Sequence, residues 1–296
     1  MQTFQTLLKR EWMQHRFGWL LLGAVPLAIM LPLMSFGQIQ IGNESTGELP
    51  GPGLVALAFC AGYTFFMMVL IGGSVAFQAP GLARRDRQDR SIEFWLSLPS
   101  GHSASIGATL LMNLWLLPLM AFGMAVAGGA VSALIAVLRT HGIGGLAEMP
   151  WAQVLTVLGL GTGRLALGMV LGTLWLSPFL FGAMAASAWL KRWGVAALAA
   201  VLGLGGVILA KVYDQTWLID LLGEQFEHAG WAFMPTLQGQ HDFDEQFMLG
   251  DLAGNAQWLL HDAGLALGDL ASLRFVATLL VAAGCFALMV LRRQRG

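Results

Sequence analysis

The sequence predicts an all-α integral membrane protein with six transmembrane helices, an N-terminal amphipathic interfacial helix and a helical outer cap between spans five and six. Three observations lead to this prediction. Of the 296 residues, 56% are hydrophobic and only 11% are charged, whereas soluble domains carry about 25% charged residues. Several apolar runs reach the length of about 20 residues that a membrane-spanning helix requires. The basic residues are concentrated in alternate segments between those runs.

Six apolar runs are the candidate spans, at residues 17–37, 54–77, 106–138, 154–190, 193–212 and 275–291. The third and fourth runs are too long for one upright helix and too short for two spans with a turn between them. We therefore expect each to be one helix that is tilted, kinked or extended by an interfacial stretch. Gly128-Gly129 and Pro178 are the positions where a bend is expected.

Arg164 falls inside the fourth apolar run. An arginine at the centre of a bilayer is costly, so the fourth span is expected to begin near Leu165. Residues 151–163 would then form an interfacial segment.

The basic residues predict the orientation of the chain. Twelve of the 16 Lys and Arg residues fall in the N-terminal segment, the segments after the second and fourth runs, and the C-terminal segment. Segments 38–53 and 213–273 contain no Lys or Arg. The positive-inside rule therefore predicts six spans with both termini cytoplasmic. The first run is expected to be a retained span, because it is long enough to cross and no small-residue cleavage site follows it.

Two segments outside the spans have patterns of their own. Residues 1–16 read as an amphipathic helix along the inner interface, with one apolar face formed by Phe4, Leu7, Leu8 and Trp12. Glu11 lies on or beside this face, and two interpretations are open: a pair with His15 one turn away, or a pair with a basic residue of the next inner loop. Residues 213–273 contain ten acidic residues and apolar clusters at helical spacing, which predicts short helices capping the outer mouth.

The sequence offers little support for catalysis or for cofactor binding. No G-x-x-x-x-G-K-[ST] motif is present, and Gly159, Gly161 and Gly163 are better explained as small residues that allow close helix packing. The run 241–245 (His-Asp-Phe-Asp-Glu) contains possible metal ligands, but a solvated acidic loop is the favoured interpretation. Catalytic residues, cofactors and metals are therefore all predicted to be absent, and the net charge of −1 argues against a nucleic-acid partner.

The most informative stretch lies between spans two and three. Seven charged or amide side chains at 84–90 are followed by Ser91, Glu93, the apolar pair Phe94-Trp95 and the ending Leu96-Ser97-Leu98-Pro99. A loop that only sets topology does not require this apolar segment. The combination indicates a docking segment that offers charge to a soluble partner and apolar surface to the edge of the bilayer.

Together with Lys9-Arg10-Glu11 near the N-terminus, this stretch resembles the permease subunits of ABC-2 type transporters. In that family an amphipathic N-terminal helix with a basic–Glu pair precedes six spans, and an acidic/basic stretch ending in Leu-Ser-Leu-Pro follows the second span. Arg90-Ser91 stands where many members carry Gly-Thr. The topology match covers nearly the whole chain, and the motif covers about twenty residues.

The resemblance implies a single ABC-2 type transmembrane domain over 1–296, with an interfacial helix at 1–16, a cytoplasmic coupling loop at 78–105 and an extracytoplasmic cap at 213–273. It implies export of an unidentified substrate through the bacterial inner membrane by two paired permeases, homodimeric or heterodimeric, and a separate cytoplasmic ABC ATPase, so this chain itself is not expected to be an enzyme. The residues expected to couple to the ATPase are Glu11, Arg84, Arg85, Asp86, Arg87, Asp89, Arg90, Glu93, Leu96 and Pro99. The alternative function is a membrane-embedded assembly or immunity factor without transport activity.

Overall fold

The fold is that of an all-helical protein, seen in a computed structural model that describes residues 2–37, 50–83, 101–233 and 252–295. Every regular element in these ranges is helical. The α-helices are α1 (Gln2–Phe36), α2 (Pro52–Leu82), α3 (His102–Leu111), α4 (Leu117–Glu148), α5 (Trp151–Trp175), α6 (Ser177–Leu190), α7 (Gly194–Val212), α8 (Trp217–Trp231), α9 (Leu252–Gly268) and α10 (Leu273–Gln294). A π turn (Met112–Leu116) joins α3 to α4, and two 3₁₀ turns (Lys191–Trp193 and Asp269–Ala271) follow α6 and α9.

Six helical segments are long and apolar enough to cross a membrane, which is the number that the sequence predicts, although the fourth and fifth divide at Leu176 and not at 191–192 as expected. They are Phe4–Phe36, Pro52–Leu82, His102–Glu148, Trp151–Trp175, Ser177–Val212 and Leu273–Gln294. These lengths and compositions are those of a multi-pass membrane protein.

The first helix is longer than the first predicted span. Residues 2–36 form one continuous helix, so the boundary expected between the N-terminal segment 1–16 and the span 17–37 is absent from it. The residues on either side of position 16 are compatible with a helix, and the two prolines of α1, Pro26 and Pro32, come later. An interfacial position for residues 1–16 remains a prediction.

The third span pairs closely with the second, and its irregular points differ from those predicted. The bend expected at Gly128-Gly129 is wrong, because α4 passes through both glycines as a regular helix. These glycines instead let α2 approach: a Cβ atom on Gly128 would lie 2.6 Å from Cε1 of Tyr63, and one on Gly129 would lie 2.9 Å from the carbonyl oxygen of Cys60. The helix departs from regularity at the π turn and at Gly142, where φ is +68°.

The bend predicted at Pro178 is confirmed. Helices α5 and α6 are interrupted only at Leu176, two residues before the proline. Helix α7 then turns back along α6, with Gly194 against the backbone of Ala186 and Ser187, where a Cβ atom would not fit. The fourth apolar run is therefore a bent helix, and the fifth begins after the 3₁₀ turn.

The predicted helices within 213–273 are confirmed, since α8 and α9 lie there. Both pack on α5, and α10 packs on α6. The bundle thus has two distinct ends. We call the end formed by the last turns of α2, the start of α3, the α6–α7 turn and the end of α10 the basic end. The opposite end, where α8 and α9 lie, we call the cap end.

Candidate functional site

Only Glu11 of the predicted coupling residues lies within the part of the chain that the structure describes. The other nine, Arg84, Arg85, Asp86, Arg87, Asp89, Arg90, Glu93, Leu96 and Pro99, fall in 84–100, outside the described residues. The flanking helices extend into the predicted loop 78–105, because α2 continues to Leu82 and α3 begins at His102. Ala79 of α2 and Leu110 of α3 belong to one buried cluster. The two helices that flank residues 84–100 therefore pack against each other at the basic end.

Glu11 is a buried carboxylate that joins α1 to the helix of the third span. Its side chain is 1% exposed. Thr109 donates its hydroxyl to Oε1 at 3.2 Å, and Asn113 donates Nδ2 to Oε2 at 3.4 Å. The two donors are four residues apart and lie on one face of the helix. Glu11 therefore fixes the N-terminal part of α1 against the first turns of the third span.

The charge of Glu11 is balanced by Arg10, its neighbour on the same helix. Arg10 pairs with Oε1, with Nε at 3.1 Å, and Nε2 of His15 lies 3.8 Å from Oε2. The interpretation that pairs Glu11 with His15 is thus confirmed as a contact. The alternative partner, a basic residue of the inner loop, lies outside the described residues.

Asn113 lies within the π turn that separates α3 from α4. The amide of Leu117 bonds to the carbonyl of Met112, five residues back, which is the π pattern. Pro118 follows directly. Because a proline has no amide hydrogen and its ring crowds the carbonyl four residues earlier, a widened turn relieves that crowding. The carboxylate of Glu11 therefore contacts the third span at its π turn and in the helical turn before it.

A large apolar chamber, open on the side of the exposed residues Phe65 and Val69, lies between α2, α4, α5 and α6. Its volume is about 490 Å³. Its walls include Met68, Ile71, Leu165, Met169 and Leu176. No charged side chain lines it among the described residues, and Thr173, its one hydroxyl-bearing residue, already donates to the carbonyl of Met169 at 2.7 Å. The chamber thus offers apolar contact and no polar group that lacks a partner.

Phe233 lines the chamber at the cap end and rests in a cradle of two glycines. A Cβ atom on Gly168 would lie 2.8 Å from Cδ1 of Phe233, and one on Gly172 would lie 2.8 Å from Cε2. Any larger residue at either position would collide with the ring. The close packing that the sequence suggested for Gly159, Gly161 and Gly163 is wrong for the first and last, since a Cβ atom there would meet nothing within 4 Å.

Arg164 anchors both cap helices to α5. Its Nε donates to Oδ2 of Asp262 on α9 at 2.6 Å, and its Nη1 donates to the carbonyl of Ala232, just after α8, at 2.8 Å. The side chain of Arg164 is 3% exposed, and that of Asp262 is 1% exposed. Helix α5 is continuous from Trp151 to Trp175, so no break marks the expected start of the span near Leu165, and an interfacial position for residues 151–163 remains a prediction. Pairing with a buried acid makes the arginine tolerable in an apolar helix.

Three of the four basic residues that the positive-inside pattern left outside the basic segments have structural partners. Arg164 has Asp262, and Arg274 forms an ion pair with Glu224. Arg139 donates to the carbonyls of Ser35 and Gly37 at the end of α1. These arginines therefore serve local structure, which explains their departure from the charge pattern.

The break before Pro178 leaves backbone carbonyls without helical donors, and side chains replace those donors. Ser177 donates its hydroxyl to the carbonyl of Leu174 at 2.6 Å. The amide of Phe179 bonds to Leu176 instead of Trp175, and Gln225 of α8 donates Nε2 to the carbonyl of Trp175 at 2.6 Å. Ser177, Gln225 and Trp175 are all buried. The cap helix α8 thus completes the hydrogen bonding of the bent span.

The same part of α8 also contacts α10. The hydroxyl of Thr278 donates to Oε1 of Gln225 at 3.3 Å. The ring of His228 stacks on Trp175, with centroids 4.5 Å apart, and Nδ1 of His228 lies 2.9 Å from Oδ2 of Asp269. A movement of α8 would therefore disturb the bent span and the last span together.

Comparisons with models of protein families, with curated proteins and with solved structures find no match for this chain.

Proposed function

We propose that this protein is the permease subunit of an ABC-2 type transporter in the bacterial inner membrane, with both termini cytoplasmic. It forms a membrane pathway for export of an unidentified substrate, and a separate cytoplasmic ABC ATPase supplies the energy. A second copy, or a related permease, completes the pathway. The chain itself hydrolyses no ATP, consistent with a sequence that lacks the phosphate-cradling motif.

The observation that carries the proposal is the position of Glu11. The resemblance assigns coupling to the N-terminal helix and to the segment after the second span. Glu11 joins that helix to α3, the helix that emerges from the segment, through Thr109 and Asn113. Force applied to the segment or to α1 therefore reaches two spans through one buried network. Because its carboxylate is 1% exposed, Glu11 acts by positioning these helices and does not touch the ATPase surface.

The apolar chamber is the proposed pathway element within one subunit, and Phe233 is its gate on the outer side. Arg164 holds the gate by binding the carbonyl of the preceding residue, Ala232. Transport requires two states that differ in which contacts are made. In the structure the ring lies in its glycine cradle, which is the closed arrangement in this scheme.

Purification of the tagged full-length protein from membranes of its native host tests the proposal. We expect an ABC ATPase to co-purify and to be identified by mass spectrometry. The variant Arg87→Glu/Arg90→Glu should lose the ATPase, whereas Lys211→Glu, a charge reversal at an exposed residue at the far end of α7, should retain it. A preparation without any ABC ATPase would contradict the proposal and favour the assembly or immunity factor.

A further inference from the structure

The basic end carries a surface on which two exposed tryptophans lie among four cations, three of which are exposed. It consists of Trp189, Lys191, Arg192, Trp193, Arg292 and Arg295, and we call it the Trp–Arg belt. The belt joins two parts of the fold, the turn between α6 and α7 and the last turn of α10. The indole Nε1 of Trp189 donates to the carbonyl of Leu288 at 3.3 Å, which holds the two parts together.

Cation–π contacts order the arginines of the belt. The guanidinium carbons of Arg292 and Arg295 lie 5.5 and 5.7 Å from the centre of the Trp189 ring. The guanidinium carbon of Arg192 lies 5.6 Å from the centre of the Trp193 ring. These distances are within the range in which an indole attracts a cation. The rings fix the guanidinium groups in place, while the exposed N–H donors of Arg192 and Arg295 can bind an anion.

The charge around the belt has a single sign along its own helices. Residues 177–212 and 273–296 contain no Asp or Glu. Lys191, Arg192 and Arg295 are exposed to solvent. The surface is therefore built to attract an anion, and these three exposed cations are the ones on which the inference rests.

Exposed apolar side chains begin within one turn of the cations. Leu190 is 52% exposed, Val195 is 42% exposed and Leu291 is 44% exposed. The helices that carry them are apolar and long enough to belong to membrane spans. Tryptophan rings prefer the depth of the lipid headgroups, between hydrocarbon and water. An occupant of the belt thus needs an anionic group next to an apolar chain.

We propose that the Trp–Arg belt binds the headgroups of anionic phospholipids, whose acyl chains run along α6, α7 and α10. A lipid supplies both the phosphate for the cations and the chain for the apolar residues beside them. Basic pockets at the ends of membrane helices recognise anionic lipids in this way. The inference is independent of the transport function, because it requires only that these helices span the bilayer.

Native mass spectrometry of the delipidated full-length protein, titrated with phosphatidylglycerol or with phosphatidylcholine, tests the proposal. Each Lys or Arg close to an anionic surface contributes roughly a fivefold factor in affinity. Lys191→Gln/Arg192→Gln/Arg295→Gln should therefore lower the affinity for phosphatidylglycerol at least tenfold and leave the weak binding of phosphatidylcholine unchanged. Trp189→Leu, which keeps every charge, should lower the affinity for phosphatidylglycerol several-fold.

The matched control is Arg139→Gln/Lys211→Gln, compared with Lys191→Gln/Arg192→Gln, so that each variant removes two exposed cations and only the second removes them from the belt. The control should retain nearly all binding of phosphatidylglycerol. An equal loss in the control and the belt variant would show diffuse attraction and overturn the proposal. Unchanged lipid binding in a folded belt variant that no longer co-purifies with an ABC ATPase would also overturn it, in favour of a protein-docking surface.

Discussion

Arg164 and Asp262, 98 residues apart in the chain, form a buried ion pair with 2.6 Å between Nε and Oδ2. The side chain of Arg164 is 3% exposed and that of Asp262 is 1% exposed. Arg164 lies on a largely apolar helix, and Asp262 faces it from the buried side of α9. Each charge makes the other tolerable, because an isolated charge in such a place carries a large desolvation cost. The pair joins α5 to α9 and so contributes to the position of α9 at the cap end.

Removal of one partner of this pair should destabilise the protein more than removal of both. Arg164→Met or Asp262→Leu alone leaves a buried charge, and we expect each to cost about 3–5 kcal/mol of unfolding free energy. The double variant should recover most of that loss. The measurement is reversible unfolding of the detergent-solubilised protein for the four members of the double-mutant cycle. Additive losses would show that the two charges do not stabilise each other.

Alanine substitutions should distinguish the glycines of the Phe233 cradle from their neighbours. Gly168→Ala places a Cβ atom 2.8 Å from the ring and 3.0 Å from the carbonyl of Ala232, so we expect a loss of about 1–3 kcal/mol. Gly163→Ala is the matched control, since its Cβ atom meets nothing within 4 Å. It should be neutral or stabilising by up to about 1 kcal/mol, because alanine favours a helix.

Phe233→Ala tests whether this loss of stability arises from the collision with the Phe233 ring. In the Gly168→Ala background, truncation of Phe233 should cost less than it costs in the wild-type protein, because the collision has gone. Thermal unfolding of the four proteins measures this difference. If Gly163→Ala and Gly168→Ala prove equally destabilising, the cradle is not what constrains these positions.

Substitution of Glu11 should affect helix packing and leave ATPase binding intact. Glu11→Gln weakens the pairing with Arg10 and the hydrogen bonds from Thr109 and Asn113, and we expect a loss of about 2 kcal/mol. Glu148→Gln, at an exposed acid, should leave the stability unchanged. Unfolding measurements and co-purification with the ATPase check the two halves of the prediction. Loss of the ATPase from a normally stable Glu11→Gln protein would indicate a direct contact instead.

The features that depend on local sequence could be predicted. Six spans follow from the lengths of the apolar runs, and the bend near Pro178 follows from the missing amide hydrogen of proline. The helices of the cap follow from apolar residues at helical spacing. Each of these properties is carried by residues close together in the chain, which is why a single sequence is sufficient.

The features that depend on distant partners could not be predicted. The sequence shows Arg164 as a costly residue in an apolar run, but does not show that Asp262, one of ten acids in 213–273, lies opposite it. The signal in the sequence that could have pointed to Asp262 is its position as a single acid between mainly apolar residues. Glycines are ambiguous for the same reason. Gly128 and Gly129 could mark either a bend or a close contact between helices, and the nearby ring of Tyr63 in the structure shows that they mark a close contact.

Gln225 should stabilise the protein only while the helix break at Pro178 exists. Its Nε2 supplies the hydrogen bond that the carbonyl of Trp175 lacks, because the amide of Phe179 bonds to Leu176. Gln225→Leu leaves this buried carbonyl unsatisfied, and we expect a loss of about 1–3 kcal/mol. Gln215→Leu, at an exposed position before α8, is the matched control and should be silent.

Pro178→Ala, combined with Gln225→Leu, completes a double-mutant cycle that tests this explanation. An alanine restores the amide hydrogen and removes the ring, so the amide of Phe179 can return to the carbonyl of Trp175 as in a regular helix. In this background Gln225→Leu should cost at least 1 kcal/mol less than in the wild-type protein. The measurement is the coupling free energy from reversible unfolding of the four proteins. An equal cost in both backgrounds would place the contribution of Gln225 in its contact with Thr278 on α10, and not in the helix break.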